Sequence, residues 1–310
     1  MSQGVSGIHR VLIVGTGLIG ASVGLALKAN GFEGEVTGWD ASAEELQAAL
    51  ECKAIDRALA SREAVLETDA DVVVLATPVL PIMDWMERLA PKLKETQLVT
   101  DVGSTKGEIT ALASKLFNQA GRAQAGSGQA GRARFLPGHP MAGKESGGAA
   151  LAEAGLFRGA TWLFCSGVGW AAGGELEMEW RKWVARFGAV MRELDPARHD
   201  EVCAWVSHLP QMLATAVSAM LEDRFAGDRE GMAAVQDIGG RALRETTRLG
   251  ASPYSMWRDV AMTNTEAIAT TLAALEQRLA HVRENLRTPE LRDEFAKANK
   301  FRRQGLGNRD

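Results

Sequence analysis

Cysteine is scarce: the 310 residues contain three, Cys52, Cys165 and Cys203, an odd and widely spaced set. That excludes a disulfide framework and any metal site read from ligand spacing, and it points to a reducing cytoplasm. No apolar run approaches the roughly 18 residues of a membrane span, and the first residues lack a signal-peptide pattern. An excess of one charge is missing too. With 35 Lys and Arg against 39 Asp and Glu the net charge is -4, which argues against general affinity for nucleic acid or anionic membrane. What is present is ordinary soluble protein, 46% hydrophobic and 24% charged, long enough for two domains with a core each. Histidine is limited to five positions, so each one is worth locating.

Residues Arg10–Val14 form a short β-branched run without polar alternation, the pattern of a fully buried strand. Gly15-Thr-Gly17-Leu18-Ile19-Gly20 follows at once and leads into helical spacing. Glycines there permit a tight turn, close approach of backbone to a pyrophosphate and close helix-on-strand packing, with the helix N-terminus turned to the phosphates. A second strand, 35–40, ends in Asp40, twenty residues after Gly20. That is where a carboxylate accepts from an adenosine ribose; the competing role is a cap for the helix starting near Glu44. A carboxylate at 40 repels a 2′-phosphate, and Ala41-Ser42-Ala43 offers no cation to hold one, which favours NAD over NADP. The cofactor-binding candidates are Gly15, Gly17, Leu18, Ile19, Gly20, Asp40, Ala76 and Thr77.

The alternation continues with strands at 71–78 and 97–101, each followed by a helix. It predicts an α/β doubly wound parallel sheet, a Rossmann fold, with its ligand crevice at the carboxyl edge of the strands. Thr77, Ser104 and His139 all fall on that edge. His139 sits between Gly138 and Pro140 in what reads as a loop after a strand end, and an imidazole there suits a general base. Residues 119–133 are low-complexity and read as a surface insertion without chemistry. Further strands are expected at 161–165 and 189–194, with a helix near 174–187.

After Asp195-Pro196 only helical periodicity remains, so the expected domains are a dinucleotide-binding domain, 7–195, and an all-α C-terminal domain, 196–310. A first long helix, 198–222, carries His199 and His208. Nine residues at about 100° each set them on opposite faces, so they are not expected at one site. Pro210 frees the carbonyl of Val206 and predicts a kink beside His208. Arg241, Arg244 and Arg248 share a helical face, either solvated or serving a substrate with two carboxylates. A final amphipathic helix is expected at 255–287, with 301–310 frayed. The broad apolar stripes predict a homodimer through this half.

Five separated motifs, Gly-Thr-Gly-Leu-Ile-Gly-Ala-Ser (15–22), Asp-Val-Gly-Ser-Thr-Lys (101–106), Gly-His-Pro-Met-Ala-Gly-Lys-Glu (138–145), Ser-His-Leu-Pro (207–210) and Thr-Arg-Leu-Gly (247–250), resemble in order and spacing the prephenate/arogenate dehydrogenase family, which catalyses the oxidative step to tyrosine. The resemblance implies an NAD-dependent oxidative decarboxylation of a small dicarboxylate, prephenate or its amino-acid counterpart arogenate, with no metal. It makes His139 the base on the substrate hydroxyl and Ser104 the group that hydrogen-bonds that hydroxyl and orients the imidazole. Arg248 would hold a carboxylate, His208 would contact the other end of the substrate, and Glu145 would form a polar wall. Many members carry a second His after Leu-Pro, whereas this chain has Gln211, which bears on prephenate against arogenate. The length leaves no room for a fused mutase or regulatory domain. Two other classes compete: a 3-hydroxyacid dehydrogenase, whose base is usually a helical Lys, and a non-catalytic NAD-binding regulator, for which Ser104, His139 and Arg248 together would be coincidence.

Overall fold

A computed structural model describes residues 7–117, 133–144, 146–165 and 174–305. The chain begins with β1 (Arg10–Val14), α1 (Leu18–Ala29), β2 (Glu35–Trp39), α2 (Ala43–Glu51), β3 (Arg57–Ala58), α3 (Arg62–Leu66), β4 (Val72–Leu75), α4 (Val79–Leu89), β5 (Leu98–Asp101), α5 (Gly107–Leu116) and β6 (Arg134–Leu136). The six strands form one parallel sheet in the order β3-β2-β1-β4-β5-β6. Strand residues alternate between two cores. Val11, Ile13, Val72, Val74 and Leu98 face one, with Val23 and Leu27 of α1. Leu12, Val14, Val73, Leu75 and Val99 face the other, with Ile82 and Trp85 of α4. Both faces are covered, which is why these strands are apolar throughout. Each such buried Val, Ile or Leu contributes about 1.5–3 kcal/mol.

A second, three-stranded sheet follows. β7 (Gly138–Pro140) pairs antiparallel with β8 (Thr161–Phe164); after α6 (Glu175–Arg186), β9 (Val190–Glu193) pairs parallel with β8. His139 therefore lies within a strand, opposite Leu163, and not in a loop as its glycine and proline neighbours suggested. Pro137 makes the change of sheet: its carbonyl accepts from the N–H of Cys165 at 3.1 Å. Residues 118–132, most of the low-complexity stretch, lie outside the described residues. Ala133, at its end, is fully buried.

The rest is helical: α7 (Pro196–Cys203), a π-helical turn over Ala204–His208, α8 (Leu209–Phe225), α9 (Arg229–Ile238), α10 (Gly240–Thr247), α11 (Tyr254–Thr263), α12 (Thr265–Glu284) and α13 (Glu290–Gly305). Contacts divide the chain into Met1–Thr265 and Glu266–Asp310. Residues 196–265 go with the sheet because polar clamps join them to it. Asp200 of α7 accepts from the N–H groups of Lys106 and Gly107 at 2.7 Å each, and Asp259 of α11 accepts from Leu80 N–H at 3.1 Å. The expected helix at 255–287 is broken at Asn264, and the stretch expected to fray is helical as far as Gly305. Within the second unit, Arg278 donates to Glu294 across the turn between α12 and α13. No helix among the described residues is long and apolar enough to cross a membrane.

Candidate active site

The nucleotide loop is shaped by close approaches. Gly15 has φ +96°, and a Cβ there would stand 2.6–2.7 Å from the backbone of Ala76 and Thr77, just past the end of β4. A Cβ on Gly20, already inside α1, would lie 1.9 Å from the Gly15 carbonyl oxygen, so this glycine fixes α1 against the turn. At Gly17, by contrast, a Cβ would meet nothing within 4 Å, which leaves that side of the turn open. Leu18 is buried and Ile19 half-buried against the core. Asp40 follows β2 and accepts from Thr16 N–H at 2.7 Å and Ser42 N–H at 2.9 Å. The cap of α2 is Ser42, whose side chain accepts from Glu45 N–H, so the capping role considered for Asp40 belongs to its neighbour. Thr77, Ser104 and His139 follow β4, β5 and β6, three neighbouring strands, at their carboxyl ends. Thr77 and Ser104 are half-buried.

A buried ion pair underlies this edge. Lys106 Nζ lies 2.5 Å from Asp101 Oδ2, both side chains fully buried, and Asp101 also accepts from Gly103 N–H and Gly138 N–H. The motif 101–106 is thereby a closed loop whose two ends neutralise each other. Removing one partner of such a pair costs about 3–5 kcal/mol.

Above it stands a relay the sequence did not disclose. Asp200 Oδ1 is 2.8 Å from His199 Nδ1, and His199 Nε2 is 2.8 Å from His139 Nδ1. A carboxylate only accepts, so His199 carries its proton on Nδ1 and offers a bare Nε2. His139 must then donate from Nδ1, which leaves its own Nε2 unprotonated: the state of a general base. Burial, followed by the repulsion that a protonated His199 and the Lys106 ammonium exert on an imidazolium, pushes the His139 imidazole well below its ordinary value. Burial lowers His199 too, with the Asp200 hydrogen bond opposing. The ring partner of His139 is thus His199, where Ser104 had been expected to orient it.

His208 joins this neighbourhood, contrary to the expectation that it and His199 face apart. The π-helical turn shifts the ladder by one residue: Leu209 N–H reaches the Ala204 carbonyl, just before Pro210. The wider turn takes back part of the rotation between the two histidines, and the His199 imidazole acts on the titration of His208. The anticipated kink is this turn. Asn264 Nδ2 donates to the Asp200 carbonyl at 2.9 Å and meets His208 Nδ1 at 3.3 Å. His208 Nδ1 is therefore the acceptor and its proton sits on Nε2, which is buried without a partner among the described residues. Burial brings its pKa down to about 4. Trp257, edge-on to His208 at 5.8 Å between centroids, has an indole N–H without a partner among the described residues.

Gln211, buried three residues after His208, donates from Nε2 to the Leu249 carbonyl at 2.7 Å and to Thr215 at 3.2 Å. A carbonyl cannot donate, so the amide orientation is fixed and Oε1 faces the other way, buried and without a donor among the described residues. Gln211 thereby holds the Thr-Arg-Leu-Gly segment in place through its amide, a tie that its expected substrate contact did not include. Arg248 opens a 3-10 turn over Arg248–Ala251 and is exposed. Of the shared arginine face, Arg241 is engaged with Glu245 at 2.5 Å. Glu145 lies outside the described residues.

The structure brings His139 and His208, both singled out from the sequence, together with His199, Asp200, Asn264 and Trp257, which were not, and sets His199 against the His139 ring. The missed residues carry no motif. Their only local signal was the adjacent His199-Asp200 pair at the start of a helix.

A family model described as prephenate dehydrogenase, nucleotide-binding domain, matches residues 23–169, and one described as prephenate dehydrogenase, dimerization domain, matches 195–301. A prephenate dehydrogenase of Lactococcus lactis is 30% identical over 280 residues, 89% of this chain and 70% of that protein. One of Bacillus subtilis is 31% identical over 260 residues, 83% of this chain and 65% of that protein, so the chain spans about two thirds of these relatives' length. Among solved structures, prephenate dehydrogenase from Aquifex aeolicus in complex with hydroxyphenyl propionate and NAD+ superposes with TM-score 0.80 at 26% identity, covering 97% of this chain and 99% of that one. Synechocystis arogenate dehydrogenase gives 0.70 at 28% identity, covering 94% and 98%.

Proposed function

The chain belongs to the prephenate dehydrogenase family, and from that premise we propose that it oxidises prephenate to 4-hydroxyphenylpyruvate with NAD, in tyrosine biosynthesis. The observation that carries this reading is the Asp200–His199–His139 relay, which leaves a neutral imidazole with a bare Nε2 at the carboxyl edge of a dinucleotide-type sheet. Neither a helical-lysine dehydrogenase nor a regulator without turnover needs that arrangement; the buried Lys106 is committed to Asp101.

The residues present fit a dinucleotide. Gly15 and Gly20 are held where no side chain fits, Gly17 is open, and Asp40 follows β2 as a ribose acceptor. The anionic Asp40 favours NAD over NADP, with Leu18, Ile19, Ala76 and Thr77 lining the same turn. When bound, the nicotinamide supplies the acceptor for the hydride leaving the carbinol carbon. His139 Nε2 takes the hydroxyl proton as that hydride departs, and Ser104 hydrogen-bonds the same oxygen. The bond from the opposite ring carbon to its carboxylate then breaks, its electron pair enters the ring, and CO2 leaves. The proton held on His139 returns to the oxygen, now phenolic. Arg248 would pair a substrate carboxylate, with Glu145 as a polar wall. The free Nε2–H of His208 and indole N–H of Trp257 would donate to the pyruvyl chain.

A second reading, arogenate to tyrosine, is favoured by the unpartnered Gln211 Oε1, since an ammonium donates to an amide oxygen and a keto group cannot. The test compares initial rates with both substrates and both nicotinamide cofactors, measuring CO2 release. Prephenate with NAD should be fastest. Arogenate fastest would reverse the assignment, and no turnover with either would remove it. Arg248→Ala should raise the substrate KM; an unchanged KM would take that residue out of the pocket.

We also propose residues 7–195 as the nucleotide-binding part and 196–310 as the helical part through which two copies pair. Val206, Met220, Ile238, Tyr254 and Met262 all lie in the helical part with more than half their surface exposed, a set suited to a second copy. Light scattering should give about twice 33.2 kDa; a mass of one chain would refute the dimer. Three free thiols suit a reducing compartment, the cytoplasm.

A further inference from the structure

The mechanism leaves one buried donor unused. Cys203, one turn after His199 on α7, places its sulfur 3.6 Å from His199 Nε2, the same atom that lies 2.8 Å from His139 Nδ1. The three donor atoms fall within 4.8 Å of one another, all on buried residues. A zinc-class cation binds imidazole at about 2.0–2.1 Å and thiolate at about 2.3 Å, so tetrahedral ligand atoms stand roughly 3.3–3.8 Å apart. The sulfur meets that spacing to His199 Nε2 at 3.6 Å, the two rings need part by about 0.5 Å, and the sulfur lies within 4.8 Å of His139 Nδ1, a gap that side-chain rotation about the metal closes. His199 is also held as ligating histidines usually are, its Nδ1–H given to the Asp200 carboxylate and its Nε2 turned inward. Sequence spacing hid the set, because His139 comes from a strand 60 residues before His199.

We propose that His139, His199 and Cys203 form a binding site for a soft divalent cation of the zinc class, reached from the substrate cleft, and that filling it shuts the enzyme off. The first half stands on geometry alone; the second rests on His139 being the base. Binding is balanced by one proton. The Cys203 S–H bond breaks as sulfur binds the metal, and that proton goes to solvent. His139 yields Nδ1 to the metal and stays neutral by carrying its proton on Nε2, where it can no longer accept one from substrate. Burial pushes the Cys203 thiol up to about 12, and a coordinated dication reverses that cost. The carboxylates of Asp101 and Asp200 outnumber the Lys106 ammonium nearby, so a cation meets a favourable field.

The experiment titrates chelator-treated full-length protein with Co2+ and, separately, assays NAD reduction in chelator-buffered Zn2+. A thiolate-to-cobalt charge-transfer band should saturate at about one ion per chain and vanish in Cys203→Ser and Cys203→Ala. Zinc should inhibit the wild type, EDTA should restore it, and the variants should keep turnover while requiring roughly tenfold or more zinc. Absence of the band, or a band that persists in both variants, overturns the site. A band that appears without loss of turnover overturns the shut-off and, with it, the reading of His139 as base.

Discussion

At the scale of single residues, the relay separates two kinds of contribution. His139 would touch the reacting proton, so His139→Asn should lower kcat by roughly 10²–10⁴ while substrate and NAD binding stay near wild type; normal turnover would refute the base. His199 acts through His139 and is a positioning residue. Its replacement by Ala leaves Nδ1 of His139 free to lose or keep its proton, so kcat should fall with KM little changed. The pH profile distinguishes this from simple damage. Burial first, and then the repulsion of the Lys106 ammonium and of His199 and His208 once protonated, hold His139 below the usual imidazole value of 6.5, so the wild-type acid limb should lie below that value. In His199→Ala one of those neighbours is gone, and the limb should move up. A limb at the same pH in both proteins would show that His199 does not set the state of His139. His139 was legible because its neighbours on both sides are glycine and proline, a local pattern. His199 was not: its role exists only because β7 and α7 bring residues 139 and 199 together, and helical arithmetic assigned it to the wrong face.

At the scale of elements, the first strand-turn-helix was fully legible, since three glycines between a buried strand and a helix have few other uses. Their roles nonetheless differ, and substitution can separate them. Gly20→Ala forces a Cβ into the space of the Gly15 carbonyl oxygen at 1.9 Å, so it should lower Tm by several degrees, as a strained small-to-large change of about 1–3 kcal/mol does. Gly17→Ala meets no protein atom within 4 Å. It should leave Tm unchanged and raise the KM for NAD, because the space it fills is the one proposed for the cofactor. If Gly17→Ala binds NAD normally, the phosphates do not pass there. The helical half was less legible for definite reasons. A π-helical turn before Pro210 and a break at Asn264 alter the rotation between side chains, and periodicity counted at 100° per residue passes over both. The four helices α7, α8, α11 and α12, expected as two long ones, also hid Asn264, the residue that links the Asp200 backbone to His208.

For the whole molecule, the same burial that readies the base has a cost in acid. His139, His199 and His208 all have values lowered from 6.5 in the folded chain. Once unfolded, each takes up a proton as the pH falls through about 6.5, whereas the folded chain refuses it until a lower pH. In that window the unfolded state binds more protons, so stability rises with pH and is lost as pH falls, by up to about 1.4 kcal/mol per unit for each histidine. For His208 the window runs from 6.5 to about 4, a total of about 3 kcal/mol. The carboxylates with lowered values, Glu63, Glu290 and Glu294, start from 4.5 and act only below it, so between pH 6.5 and 4.5 the histidines titrate without them. Urea unfolding followed from pH 7 to 5 should therefore show a steadily falling midpoint at constant m-value. His208→Asn should flatten the slope by about 1.4 kcal/mol per unit whatever it does to stability at pH 7. A flat profile in the wild type would mean that these imidazoles are not held neutral by the fold, and the bare Nε2 on which the proposed chemistry depends would lose its physical basis.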